Sequence, residues 1–335
     1  REPGAHVAPL PDDFGADARR HPGGGNSGAR GGAAPGRLCG PDCGHRGPAG
    51  CAGRPGNPSA VWRAPAGGDE RGAGIEEKEI RFQAAGINHL PWITEFLVGE
   101  RDGFALLDEW LAEHGPLHLA ADGLLGTPWS VFQDRHGVKF TIYQDSRALA
   151  GAGDRHVAEF FPHFLRPETR WGLDYGVEET TVAHRREIYA AQAEQVRYWL
   201  SGEDRLSLKP SAEQLAPLIA ALEGGPAGRF IVNIPNRGQV PNLPIGQIVE
   251  CYARVDRRGV HPEFPGPLPP LPAAVCNWHL MIMEMVHEAA LKGDRGLALQ
   301  ALRLDPLVRD WAQAGPMLDE MLAATAEWLP QFQHG

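Results

Sequence analysis

The sequence predicts an α+β fold over residues 75–335, preceded by a segment with no core of its own. Three observations carry this reading. Short apolar runs with strand-like alternation occur among longer runs with apolar residues at helical spacing. The two kinds follow no strict strand–helix alternation, which sets α+β apart from α/β. Residues 1–74 show neither period and are dominated by Gly, Pro, Arg and Ala, as in HPGGGNSGARGGAAPG.

That first segment cannot bury enough apolar surface to offset chain entropy, so it is read as disordered. Its composition is also what GC-rich codons yield in any frame, which raises out-of-frame translation as its origin. Two apparent motifs fall within it. Gly23, Gly25 and Gly28 satisfy G-x-G-x-x-G, but a dinucleotide turn needs a strand before it and a helix after it. Cys39, Cys43, His45 and Cys51 could ligate zinc, yet their spacing fits no common finger.

The elements follow in order. EEKEIRFQAAGINH places Ile80 and Phe82 on one face of a strand that ends at Asn88–His89. GFALLDEWLAEHG reads as an amphipathic helix. GVKFTIYQ, rich in β-branched and aromatic residues, reads as a second strand. VAHRREIYAAQAEQVRYWLSG reads as a long helix. SAEQLAPLIAALEGG reads as a helix opened by an imperfect capping box, Ser211 to Glu213, and closed by glycine. GRFIVNIPN is a buried strand running into a loop, and the tail from Asn277 to Phe332 is almost wholly helical.

The chain of 335 residues carries a formal charge of −10, which argues against a nucleic-acid partner. It has no apolar run of the roughly 20 residues that a membrane span needs. No secretory signal is visible. Five cysteines, three of them before residue 52, suggest no disulfide framework, so a cytoplasmic setting is expected.

Polar residues collect where apolar runs end, and such loops are where function concentrates. One group is Asn88 and His89. A second is Asp154, Arg155, His156 and Glu159 in GAGDRHVAEF. A third is Asn233, Asn236, Arg237 and Asn242 in VNIPNRGQVPNLP, followed by the Glu250–Cys251 strand. Each also has a structural explanation: a hydrogen-bonded histidine at a strand end, a local Asp154–Arg155 pair or helix N-cap, and turn asparagines. Asp154 and Glu159 could form a glycosidase carboxylate pair, but five residues apart on a helix they would face different ways. The residues alone reach an acidic α+β domain with a polar site of His, Asp, Arg and Asn.

Several stretches resemble glycoside hydrolase family 4, in that family's order over residues 75–335. They are EIRFQAAGINHLPW, GDRHVAEFFPHFL, FIVNIPNRGQVPNLPIGQIVE, EAALKGDRGLALQALRLDPL and EWLPQF. The resemblance implies the family's C-terminal catalytic domain, which is lactate-dehydrogenase-like and helix-rich with a mixed sheet. It implies an NAD- and Mn²⁺-dependent glycosidase acting by oxidation, elimination and addition. It further implies His89 as a metal ligand, Asp154 as the catalytic base, and Asn88, Arg155, His156, Asn233 and Asn236 as substrate contacts. The GDRH form is closer to α-galactosidase and α-galacturonidase members than to phospho-sugar enzymes. A small sugar substrate and a homodimer or homotetramer are expected with it.

The sequence departs from the family in two respects. No Rossmann domain precedes residue 75, so cofactor-binding residues are unassigned. The family's cysteine ligand, about thirty residues before the histidine, would fall near Ser59 and Ala60. The expectation is therefore a truncated or frameshifted chain, inactive alone. Its rivals are a non-catalytic sugar-binding remnant and a lactate- or malate-type dehydrogenase domain.

Overall fold

A computed structural model of the chain describes residues 80–119, 134–202 and 214–333. The sequence expectations for residues 1–74, for the N-terminal glycine and cysteine motifs and for the Ser211–Glu213 box lie outside these.

A hairpin anchors the sheet. β1 (Ile80–Ile87) and β2 (Leu90–Val98) pair antiparallel and are joined by Asn88–His89 alone, with Ile87 opposite Leu90. A register shift between Gln83 and Ala84 adds a bulge. β3 (Arg101–Asp102) and β4 (Leu149–Ala150) both pair with β2. β1 also pairs with β6 (Ile248–Asp256), which takes β5 (Gly228–Pro235) and β7 (Gly259–Pro262) as further partners. The strand order is β3-β2-β1-β6-β5, and every pairing is antiparallel.

Side-chain alternation splits the core across the sheet. Ala85, Ile87, Leu90 and Trp92 enter one cluster with Val157, Val249, Cys276 and Leu280. Ala84, Ile93 and Phe96 enter the other, with Leu107, Leu111, Phe140 and Tyr252. The second cluster is covered by α1 (Gly103–His114), whose Leu107 and Leu111 are buried and whose N-cap Asp102 accepts from the Phe104 N–H. Each of those leucines contributes about 1.5–3 kcal/mol through burial.

The segment GVKFTIYQ is a helix and not a strand. α2 (Gly137–Ser146) buries Val138, Lys139, Phe140, Ile142 and Tyr143. It is wedged between the two clusters: Val138 and Ile142 enter the first, Phe140 and Tyr143 the second. A helix buried on nearly all sides shows no apolar stripe, so its β-branched and aromatic composition misleads.

α3 (Asp154–Phe160) leads from β4 into two short 3₁₀ turns, Pro162–Phe164 and Pro167–Tyr175. α4 (Val182–Ser201) buries no side chain among the described residues and leaves Val182, Tyr189, Val196 and Leu200 exposed. α5 (Leu215–Leu222) covers Phe230, Val232, Ala253 and Val255. The tail is helical as expected, through α6 (Pro270–Lys292), α7 (Arg295–Leu304), α8 (Ala314–Ala324) and a 3₁₀ turn at Pro330–Gln333, though α6 starts seven residues before Asn277. No described helix is long and apolar enough to cross a membrane.

Candidate active site

The strand register brings the sequence candidates to one end of the sheet. β1 ends there, β2 begins there, and Glu250 near the start of β6 lies opposite both Gly86 and Asn233. The Gly151 N–H donates to the Pro91 carbonyl at 2.8 Å, which ties the GAGDRH loop to the same end.

Asn88 and His89 are exposed and form the connection of the hairpin, so they lie within the turn and not ahead of it. His89 adopts φ +67°, the left-handed region that favours glycine. The approach beneath it is close: a Cβ on Gly86 would lie 2.2 Å from the Leu90 carbonyl oxygen. The His89 ring sits 4.3 Å from that of His156, tilted by 35°. Burial, then the His156 ring, lowers the proton affinity of His89 against the pull of Glu159. Its imidazole is therefore biased toward the neutral, metal-ligating form.

Asp154 is the first residue of α3; the N-cap is Gly153, which offers no side chain. α2 likewise follows an N-cap, His136, whose side chain makes no capping bond and whose φ is +60°. Two aspartates fill these gaps crosswise. The Asp154 carboxylate accepts from the N–H groups of Val138 and Lys139 at 3.2 and 3.1 Å, satisfying orphan donors of α2. Asp134 accepts from the N–H groups of Asp154 and His136 at 3.3 and 3.2 Å. The Lys139 ammonium donates to Asp134 at 2.7 Å and to the Ala152 carbonyl at 3.1 Å. Lys139 and Asp154 are each 2% exposed.

This arrangement drives the two acids apart. Burial, then the Asp134 charge, pushes Asp154 up to about 8. Burial also opposes ionisation of Asp134, but the Lys139 ammonium, followed by His136, holds it well below the usual carboxylate range. No Asp154–Arg155 bridge forms. Arg155 donates to the Thr180 hydroxyl, and burial followed by the Arg185 charge lowers its proton affinity.

The third loop divides. Asn233 donates to Glu250 at 3.3 Å, and burial raises the Glu250 proton affinity against that bond. Asn236 is fully buried. It donates to the Val240, Leu243 and Pro244 carbonyls and accepts from the Gly238 and Val240 N–H groups. Its hydrogen bonds hold the loop together.

His89, His156 and Glu159 thus form one group, Asn233 and Glu250 a second, and Asp154 with Asp134, His136 and Lys139 a third. Sequence reasoning missed Asp134, His136 and Lys139. The available signal was a lone lysine inside an apolar run, since lysine is rarely buried without a partner.

No group of three or more His, Cys, Asp or Glu residues among those described could hold an ion. Neither described cysteine offers a thiolate: burial pushes Cys251 up to about 11 and Cys276 up to about 12.

This fold is that of an α+β glycosyl hydrolase C-terminal domain. The family 4 glycosyl hydrolase C-terminal domain matches residues 84–308, and the chain belongs to that family. It is 34% identical over 258 residues to the alpha-galacturonidase of Bacillus subtilis (strain 168), covering 74% of this chain and 56% of that protein. The alpha-galacturonidase of Lachnoclostridium phytofermentans is 31% identical over 266 residues, covering 77% and 56%. The chain therefore spans little more than half the length of these curated relatives. A crystal structure of a candidate glucosidase from Bacillus subtilis superposes with a TM-score of 0.66 at 33% identity, over 75% of this chain and 58% of that one. The 6-phospho-beta glucosidase of Thermotoga maritima, solved with manganese, NAD⁺ and glucose-6-phosphate, shares the fold at a TM-score of 0.54 and 22% identity, over 75% of this chain and 55% of that one.

Proposed function

We propose that this chain carries the sugar-handling half of a glycosidase acting on α-galacturonides, with α-galactosides as the second substrate class. The observation that supports it best is the 34% identity to an alpha-galacturonidase over 258 residues, alongside a family match over residues 84–308 that contains the site residues. The alpha-galactosidases of Rhizobium meliloti and Bacillus subtilis stand at 27% and 26% identity. Arg155 suits a uronate, because a guanidinium offers a carboxylate two parallel hydrogen bonds.

In this reading the working enzyme uses NAD and a divalent metal. When bound, the metal supplies a Lewis acid for sugar oxygens. His89 fits it as one ligand, exposed and biased to the neutral form, with further donors to come from outside the described residues. The described residues do not fit NAD: with every strand pairing antiparallel, they contain no βαβ nucleotide-binding unit.

The residues of this chain bind the sugar and move its proton. His89 orients it, with Asn88 beside it in the turn. Arg155 and His156 hold it from the start of α3, and Asn233 from the end of β5. The Asp154 carboxyl is the proton acceptor toward the sugar, a task suited to an acid poised near neutrality. Asn236 supports the loop and does not touch the sugar. The bare apolar side of α4 supports assembly into a dimer or tetramer.

The test is calorimetry of the purified chain with D-galacturonate and with D-galactose, each with and without Mn²⁺, alongside turnover of p-nitrophenyl α-D-galacturonide with NAD and Mn²⁺ added. Saturable, Mn²⁺-enhanced galacturonate binding that His89→Ala removes supports the reading. Binding without turnover makes this chain a sugar-binding module. No binding of either sugar overturns the proposal.

A further inference from the structure

Lys139 is the one described ammonium at the Asp154 loop, and it is directed away from Asp154. Its own N–H is bonded to the Asp154 carboxylate at 3.1 Å, so the two residues are in contact. Yet its ammonium reaches past that carboxylate to Asp134, at 2.7 Å, and to the Ala152 carbonyl, at 3.1 Å. A buried lysine takes the nearest available carboxylate as counter-ion. Two carboxylates compete here, and backbone geometry settles the contest. Asp134 is fixed by the N–H groups of His136 and Asp154, while Asp154 is fixed by the first turn of α2.

We propose that Asp134 is a positioning residue that captures the Lys139 ammonium and so keeps Asp154 from becoming its ion-pair partner. The inference deepens the glycosidase reading and rests on it for its purpose, because an aspartate paired to a buried lysine is a poor proton acceptor. The crossed caps fix the direction of the Asp154 carboxyl, and the Asp134–Lys139 pair sets its charge state. The other titratable group against this cluster is His136, at 3.2 Å from Asp134, and it does not displace the ammonium. Of the charged groups on α3, Arg155 turns to Thr180, and His156 and Glu159 lie with each other beside His89.

The measurement is NMR titration of the chain carrying ¹³Cγ-labelled aspartate, with the Asp154 resonance assigned by Asp154→Asn. It needs neither turnover nor added metal. Asp134→Asn keeps an acceptor for both N–H groups but releases the lysine to Asp154. The Asp154 midpoint should then fall by about 2 units, the usual effect of an unshared cation alongside a carboxylate. Lys139→Met should move it the other way, since Asp134 then faces Asp154 unneutralised. The opposite signs separate this role from general loosening of the fold, and Lys139→Met decides the matter if Asp134→Asn does not fold. An Asp154 midpoint unmoved by either variant, or moved in the same direction by both, overturns the proposal. Failure of sugar binding with these shifts intact would refute the glycosidase reading alone.

Discussion

Asn236 offers the sharpest separation of structural from substrate-contacting asparagine. Its amide bridges five backbone groups of the loop that joins β5 to β6. Asn236→Ala would orphan the Val240 N–H and the Leu243 carbonyl, at bonds of 3.2 and 2.9 Å, while the Val240 carbonyl keeps the Leu243 N–H at 3.1 Å. The Gly238 N–H and the Pro244 carbonyl are only part-buried, so water relieves them. A buried backbone group left without a partner costs about 1–3 kcal/mol. Two such groups predict a loss of about 3 kcal/mol, allowing for some relaxation of the loop.

Urea unfolding followed by circular dichroism measures this, with the slope of the transition checked for constancy. Asn236→Asp supplies the chemical control. It keeps the acceptor but turns the donor into a second acceptor facing three carbonyls, which raises its folded-state proton affinity. The penalty on that variant therefore grows as pH rises above the unfolded aspartate value of about 4. A loss below about 1 kcal/mol in Asn236→Ala, with sugar binding abolished, would refute the structural assignment and return Asn236 to the sugar.

Further outcomes follow from the same geometry. Gly86→Ala should cost about 3 kcal/mol, because its Cβ would lie 2.2 Å from the Leu90 carbonyl oxygen; thermal unfolding reads it. His89→Gly should unfold within about 0.5 kcal/mol of the parent, relief at φ +67° offsetting added chain entropy, while Mn²⁺-dependent galacturonate binding is lost in calorimetry. The folded-state proton affinity of Asp154 is raised, so its protonated form stabilises fully below about pH 4, and this contribution is lost as pH rises toward about 8. Relative to Asp154→Asn, the parent should lose stability across that window by up to about 1.4 kcal/mol per pH unit in urea titrations.

The sequence made some of this legible because some of its signals are local. Ile80 and Phe82 alternate along an amphipathic strand, Leu107 and Leu111 lie four apart on an amphipathic helix, and the glycines after α5 mark where it stops. Residues 137–146 were not legible. Their helix owes its place to two clusters built from distant strands, and its first turn is capped by a carboxylate fifteen residues downstream. The candidate site shows the same division. Asn88, His89, Asp154 and His156 stand out as polar residues closing apolar runs, but no spacing rule reveals that Asp134 and Lys139 form the pair beneath Asp154. Nor does sequence separate Asn233 from Asn236. They sit three residues apart in the same asparagine-rich stretch, one exposed beside Glu250 and the other fully buried. The turn at Gly238, with φ +105°, reverses the chain over Asn236 and closes the loop on its amide. Tertiary closure thus gives one residue type two tasks. A polar motif read along the chain locates a site before it can distribute the roles within it.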